Sequence, residues 1–295
     1  MEGIMPEEKN DNRRGDFWRI LQPICIEILI TLVCSLAFSI AVVMKNMDAY
    51  SAAAGKGIDE MQAYVMKLLE ENMPEMAYVT IIAGLICIPV MLFLLKKDNK
   101  IRKPELLMTP YGGAALYVPI ALMAVCTGIA LNNLMLLGNL GEASKAFEEA
   151  EKNLFSIPFH LQLIGYGLVT PVSEEVIYRG LIYRRMKDAG FSLRKAGLMS
   201  AVLFAISHGN MVQGAYAFFL GILFAYMYEK KGSLKAPVIC HMAVNCVTVL
   251  FTQKDLFVWM FRSFARGGLI TVAAAGCGAA LLVYVAGKLP DKSAA

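Results

Sequence analysis

Residues Ser173–Gly180 read SEEVIYRG, and the run before them, Phe159–Val172, reads FHLQLIGYGLVTPV. The upstream run is apolar enough to lie in a bilayer, yet Glu174, Glu175 and Arg179 continue directly from it. A charged side chain at membrane depth costs about 2.5–3.5 kcal/mol on insertion scales, so it persists only when paired or put to use. Glu175 and Arg179 stand four apart, which sets them on one helix face where they can pair. Glu174 points about 100° away, toward a different neighbour. Pro171 removes a backbone hydrogen bond and can bend the helix. Gly180 lets another helix approach closely.

The rest of the chain supports a membrane setting for this stretch. Of 295 residues, 57% are hydrophobic and only 18% are charged, where a soluble domain carries about a quarter. The apolar residues fall in long runs, as transmembrane helices require. The fold class this predicts is all-α: a polytopic membrane protein, a single integral membrane domain over 1–295. No basic patch interleaves with aromatics, so no nucleic-acid partner is expected. The seven cysteines all sit inside apolar runs without a CxxC and read as small buried hydrophobes. No small-residue cleavage site follows the first apolar run, so that run reads as a retained span.

About eight spans can be placed, near 20–44, 76–95, 111–138, 159–183, 196–212, 214–229, 235–252 and 268–287. The pair around Gly209 to Gly214 can alternatively form one interrupted unit. With eight spans, five basic clusters fall on one side: Arg13/Arg14/Arg19, Lys96–Lys103, Arg184–Lys195, Lys230/Lys231/Lys235 and Lys288/Lys292. The net acidic segment 141–153 falls on the other. The positive-inside rule then puts both termini in the cytoplasm, in the cell membrane. Residues 58–73 carry apolar side chains at helical spacing and read as an amphipathic helix on the outer surface, with lipid as its partner.

Two of the three histidines lie in later spans, His208 in FAISHGN and His241 in CHMAVN. Glu174 precedes the basic turn near residue 190 by about 16 residues, and His208 follows it by about 18. At about 1.5 Å per residue, the two come within roughly 3 Å of one depth. A carboxylate and an imidazole at one depth can deprotonate a water and pass the proton on. His241 and Asn245 form a second pair four apart. Counted from their own loop, they lie shallower by about 10 Å, unless that loop dips inward or its helix is displaced. Other polar residues read as packing or surface groups: Glu27, Asn132, Asn133 and His160. There is no HExxH, no GxSxG elbow and no intramembrane Asp pair.

Three motifs now stand in order: Glu174-Glu175-x-x-x-Arg179, Phe204-x-x-x-His208 and His241-x-x-x-Asn245. They resemble the CAAX prenyl protease and bacteriocin-processing family of intramembrane endopeptidases, also labelled CPBP or Abi. The resemblance covers about residues 155–253, the expected catalytic core between the helices. It implies that Glu174 is the general base, with His208 holding the water. Glu175 and Arg179 would shape the site, and His241 and Asn245 would stabilise the oxyanion. It implies hydrolysis without a metal. Two His and a Glu have the donor types for zinc, but the expected depth offset of His241 speaks against a compact three-ligand site. The substrate would be a cytoplasmic-side segment of a membrane protein or a lipidated peptide. A competing expectation is a non-catalytic immunity factor or scaffold of the same fold. A proton-coupled transporter is a third, but no inverted repeat with paired broken helices accompanies the polar residues. The oligomeric state is left open.

Overall fold

The structure, a computed structural model, describes residues 7–72, 75–104, 107–140, 144–155 and 157–289. Met73, Gly141 to Ala143 and Lys292, parts of the segments named above, lie outside these residues, as do the side chains of Arg13 and Arg14. Among the described residues the chain is helical, with no strand. Six helices are long and apolar enough to cross a membrane: α1 (Glu7–Lys45), α4 (Met76–Ile101), α5 (Tyr117–Leu137), α9 (Met211–Lys231), α10 (Lys235–Gln253) and α12 (Phe264–Gly287). Between them lie α2 (Met47–Ala54), α3 (Ile58–Glu71), α6 (Lys145–Phe155), the run α7 (159–188), α8 (Leu193–Ile206) and α11 (Leu256–Phe261). The fourth and fifth expected spans are α7 and α8, so the expected eight correspond to the six helices plus these two.

The outward face of α1 is apolar, with Ile28, Leu29, Leu32, Val33 and Leu36 exposed. Such a stripe is costly in water and matches lipid. The buried core instead gathers around α7, where Val176 to Tyr183 are all buried. Met91 of α4, Phe204 of α8 and Ala217 and Tyr228 of α9 pack in the same cluster.

Helix α7 is not uniformly α-helical. It alternates between α-helical Phe159–Gln162, π-helical Leu163–Val169, α-helical Thr170–Glu175, π-helical Val176–Tyr183 and α-helical Arg184–Asp188. The wider turns begin ahead of Pro171. The Thr170 N–H reaches back five residues to the Gly165 carbonyl. The next N–H in that register would be residue 171, and proline has none. The Tyr166 carbonyl therefore has no partner within its own helix.

The expected break between spans five and six is sharper than the sequence suggested, and the alternative of one interrupted unit does not hold. Helix α8 ends at Ile206, and α9 starts at Met211 as a separate helix. Gly209 turns the chain at φ +72°, and the Asn210 side chain caps α9 by accepting the Gln213 N–H at 2.9 Å. The expected helix 58–73 is present as α3, with Leu68 buried and Ile58 and Met66 exposed.

The basic ends of several helices meet on one face. Arg185 of α7 binds Asp98 of α4 at 2.6 Å, and Arg102 binds Asp188 of α7 at 2.8 Å. Arg19 of α1 reaches Asp98 at 3.4 Å, and Lys187 of α7 meets Glu229 of α9 at 3.0 Å. Basic residues that the span count put on one side are thus neutralised by each other's neighbours. The turn after α9 is drawn inward at the same end. Lys231 is buried and donates to the carbonyls of Tyr111, Gly112 and Gly113, while Tyr111 N–H donates back to the Lys231 carbonyl at 2.8 Å. Gly232 follows at φ +65°, and a Cβ there would collide with the Thr109 carbonyl. Only glycine fits this position.

Candidate active site

Four of the six expected residues converge in one place. Arg179 Nη1 donates to Glu175 Oε1 at 2.7 Å, with both side chains fully buried. The i, i+4 pair read from the sequence is therefore present despite the π-helical turns. Arg179 Nη2 donates to the Gly221 carbonyl of α9 at 2.9 Å. A Cβ on Gly221 would stand 3.1 Å from that guanidinium nitrogen and 3.1 Å from the Ala201 Cβ. The small residue is what lets the arginine reach the backbone.

His241 bridges the two glutamates. Its Nδ1 lies 2.9 Å from Glu175 Oε1 and its Nε2 lies 3.6 Å from Glu174 Oε2. Ionised Glu175 has no hydrogen to offer, so Nδ1 carries the proton and donates it to that carboxylate. This contact fixes the ring and turns Nε2 toward Glu174. The expected depth offset of about 10 Å for His241 is thus overturned. Counting from the loop assumes a turn free at the surface, whereas the turn after Lys231 is held by residues 109–113 and His241 stands beside both glutamates. The offset accordingly gives no argument about zinc. Among the described residues, no group of three or more His, Cys, Asp or Glu is arranged to hold a metal ion.

The two glutamates have different surroundings. Glu175 is fully buried and its Oε1 is taken by Arg179 and His241. The Glu174 side chain keeps 18% of its surface accessible, so Glu174 is the one that can meet a water.

Aromatic rings wall the site. The Arg179 guanidinium lies 4.7 Å over Phe204 and 5.4 Å from Phe224, where the ring faces favour a cation. His241 stacks on Phe224 at 5.0 Å and meets Phe204 edge-on at 5.6 Å. His208 lies edge-on to the same Phe204 at 4.8 Å and is held by the Phe204 carbonyl, 2.8 Å from its Nδ1. It thus shares a ring with His241, and its Nδ1 hydrogen bond goes back to α8 rather than to Glu174.

Asn245 sits one turn beyond His241, and its Nδ2 donates to the Tyr166 carbonyl at 2.8 Å. This is the carbonyl that Pro171 leaves unpaired. The next carbonyl, Gly167, has the Cys246 thiol at 3.6 Å. Sequence reasoning missed these backbone acceptors, along with Gly221 and Phe224, because no residue type marks a carbonyl released by a distant proline. It also read Glu27 as a packing or surface group. Glu27 in fact lines the same small cavity as Glu174.

Residues 156–247 match the family described as Type II CAAX prenyl endopeptidase Rce1-like. This segment contains all seven residues named in the three motifs and ends two residues past Asn245. Over this segment the chain is similar to the CAAX prenyl protease (CPBP) family. A Bacillus subtilis (strain 168) protein named "Putative membrane peptidase YdiL" is 26% identical over 96 residues, 32% of this chain. The chain spans 39% of the length of that curated relative. No solved structure matches. The CPBP-like segment runs from α7 into α10, and α1 to α6 lie outside it. The six apolar helices and the likeness to a membrane-protease family together make the chain an integral membrane protein.

Proposed function

We propose that the protein is an intramembrane endopeptidase in which Glu174 activates the hydrolytic water. The observation that carries this reading is the His241 bridge, which leaves Glu174 as the accessible carboxylate beside an oriented imidazole. In the reaction, Glu174 takes a proton from water as the water oxygen bonds to the scissile carbonyl carbon. The same proton then passes to the leaving nitrogen as the C–N bond breaks. His208, across Phe204, helps hold the water.

Oxyanion donation uses the doubly protonated form of His241, with the Glu175 carboxylate 2.9 Å from its Nδ1. In that form His241 donates from Nδ1 to Glu175 and from Nε2 toward the developing oxyanion. Removing one such donor typically costs 10²–10³ in turnover. Asn245 gives one amide hydrogen to Tyr166 and keeps the other for the same oxyanion. Arg179 balances the charge of Glu175. The mechanism assigns no step to a metal.

The shared face of basic helix ends would look into the cytoplasm, with both termini there. The substrate would be a membrane-protein segment or lipidated peptide presented from that side. The test compares membrane peptides from cells making wild type or Glu174→Gln at equal abundance. New C-termini are expected only with the wild type. Identical peptide sets alongside a lost phenotype would mean that peptide hydrolysis is the wrong chemistry.

A further inference from the structure

Glu27 lies on α1, more than a hundred residues before the CPBP segment, yet it faces the catalytic centre. A cavity of about 80 Å³ between α1, α4 and α7 is lined by Glu27 and Thr31, by Thr80 and Cys87, and by Ser173 and Glu174. That volume suits two or three waters at about 30 Å³ each. With Thr170 the walls offer four hydroxyls and two carboxylates, enough polar partners to hold them. Among the described residues, no hydrogen bond or ion pair anchors the Glu27 carboxyl. A carboxyl at membrane depth without a protein partner must be hydrated, neutral or shared. The titratable groups facing it are Cys87 from α4 and Glu174 and Tyr178 from α7. Glu174 in turn faces Glu175, Arg179 and His241.

We propose that Glu27 is a positioning residue of the active site, sharing one proton with Glu174 through the water of this cavity. Two carboxylates in one poorly solvated space cannot both ionise readily, so a single proton serves the pair. When Glu27 holds it, Glu174 is an ionised base. When Glu174 takes a proton from the attacking water, each carboxyl of the pair holds one; Glu174 then gives one to the leaving nitrogen as the C–N bond breaks, and the pair returns to its single shared proton. Atoms balance without a co-reactant, because the pair gains one proton from water and delivers one to the amine. The inference rests on Glu174 being the base proposed above.

The test uses the purified full chain in lipid nanodiscs and dicyclohexylcarbodiimide, an apolar reagent that modifies protonated carboxyls, with labelling at each glutamate read by mass spectrometry across pH. In Glu27→Gln, labelling of Glu174 should fall away at a pH lower by about one unit than in wild type. In Glu174→Gln, labelling of Glu27 should shift in the same direction. Glu27→Asp should keep the wild-type coupling, which a purely structural role would not require. In cells, Glu27→Gln should slow formation of the wild-type-specific C-termini at least tenfold at equal abundance. Unchanged labelling curves in both glutamine variants would overturn the shared proton. So would wild-type cleavage by Glu27→Gln. If wild type and Glu174→Gln give the same peptides while the labelling curves remain coupled, the protease reading fails and the proton pair stands.

Discussion

At the scale of single residues, the site is an exercise in compensating buried charge. Glu175 and Arg179 are both fully buried, and each is tolerable only because the other is there. Replacing Arg179 with Met should destabilise the protein by about 3–5 kcal/mol, since it strands the Glu175 carboxylate. Arg179→Lys should fall between, because one ammonium cannot span Glu175 and the Gly221 carbonyl as the forked guanidinium does. Thermal unfolding in detergent checks both, and equal midpoints for wild type and Arg179→Met would refute the compensation. This pair was legible in the sequence because an i, i+4 spacing carries its geometry with it. Glu27 was not. A lone carboxylate in an apolar run declares no partner, and Glu174, which lines the same cavity, lies 147 residues away on another helix.

At the scale of elements, α7 and α10 are locked by a backbone defect. Pro171 withholds an N–H, the Tyr166 carbonyl is left over, and Asn245 supplies the donor. Asn245→Ala should cost about 1–3 kcal/mol for leaving that carbonyl unpaired. Pro171→Ala restores a backbone N–H nearby, so the penalty for Asn245→Ala should shrink in that background by about 1 kcal/mol or more. A double-mutant cycle on unfolding midpoints reads this coupling, and strictly additive costs would rule it out. Helix number and the motif-bearing faces were readable from hydrophobic runs and four-residue spacings. The π-helical register was not, because it depends on which carbonyls find partners elsewhere. The level of His241 was misjudged for a related reason. A constant rise per residue measures depth only when the turn it starts from lies at the surface.

At the scale of the whole molecule, the ends of α1, α4, α7 and α9 are tied by Arg–Asp and Lys–Glu pairs, and residues 109–113 close over the turn that leads into α10. That closure holds the turn from which α10, and with it His241, begins. Gly232→Ala, which drives a methyl into the Thr109 carbonyl in a left-handed conformation, should cost about 1–3 kcal/mol in backbone strain. It should also reduce turnover beyond what lost stability explains, because His241 hangs from the displaced turn. Unfolding midpoints and cleavage measured on the same preparation separate the two effects. A variant with wild-type values in both would show that the turn does not set the depth of α10. The common basic face could be anticipated from charge alone, because Lys and Arg report sidedness along the chain. The inward turn could not, because Lys231 looks like any other member of a surface cluster until its carbonyl partners are seen.

The Tyr166–Asn245 bond also has a consequence for how the protein is made. The carbonyl and its donor are separated by 79 residues of chain. A ribosome delivers the fourth span well before the seventh, and an unsatisfied carbonyl costs several kcal/mol in hydrocarbon. During synthesis the fourth helix must therefore wait in a different register, or keep a water at that carbonyl, until α10 enters the bilayer. The same arrival brings His241 to Glu174. Insertion of one late helix thus pairs the Tyr166 carbonyl and brings His241 beside Glu174 in a single event, and a nascent chain that stops short of α10 has neither contact.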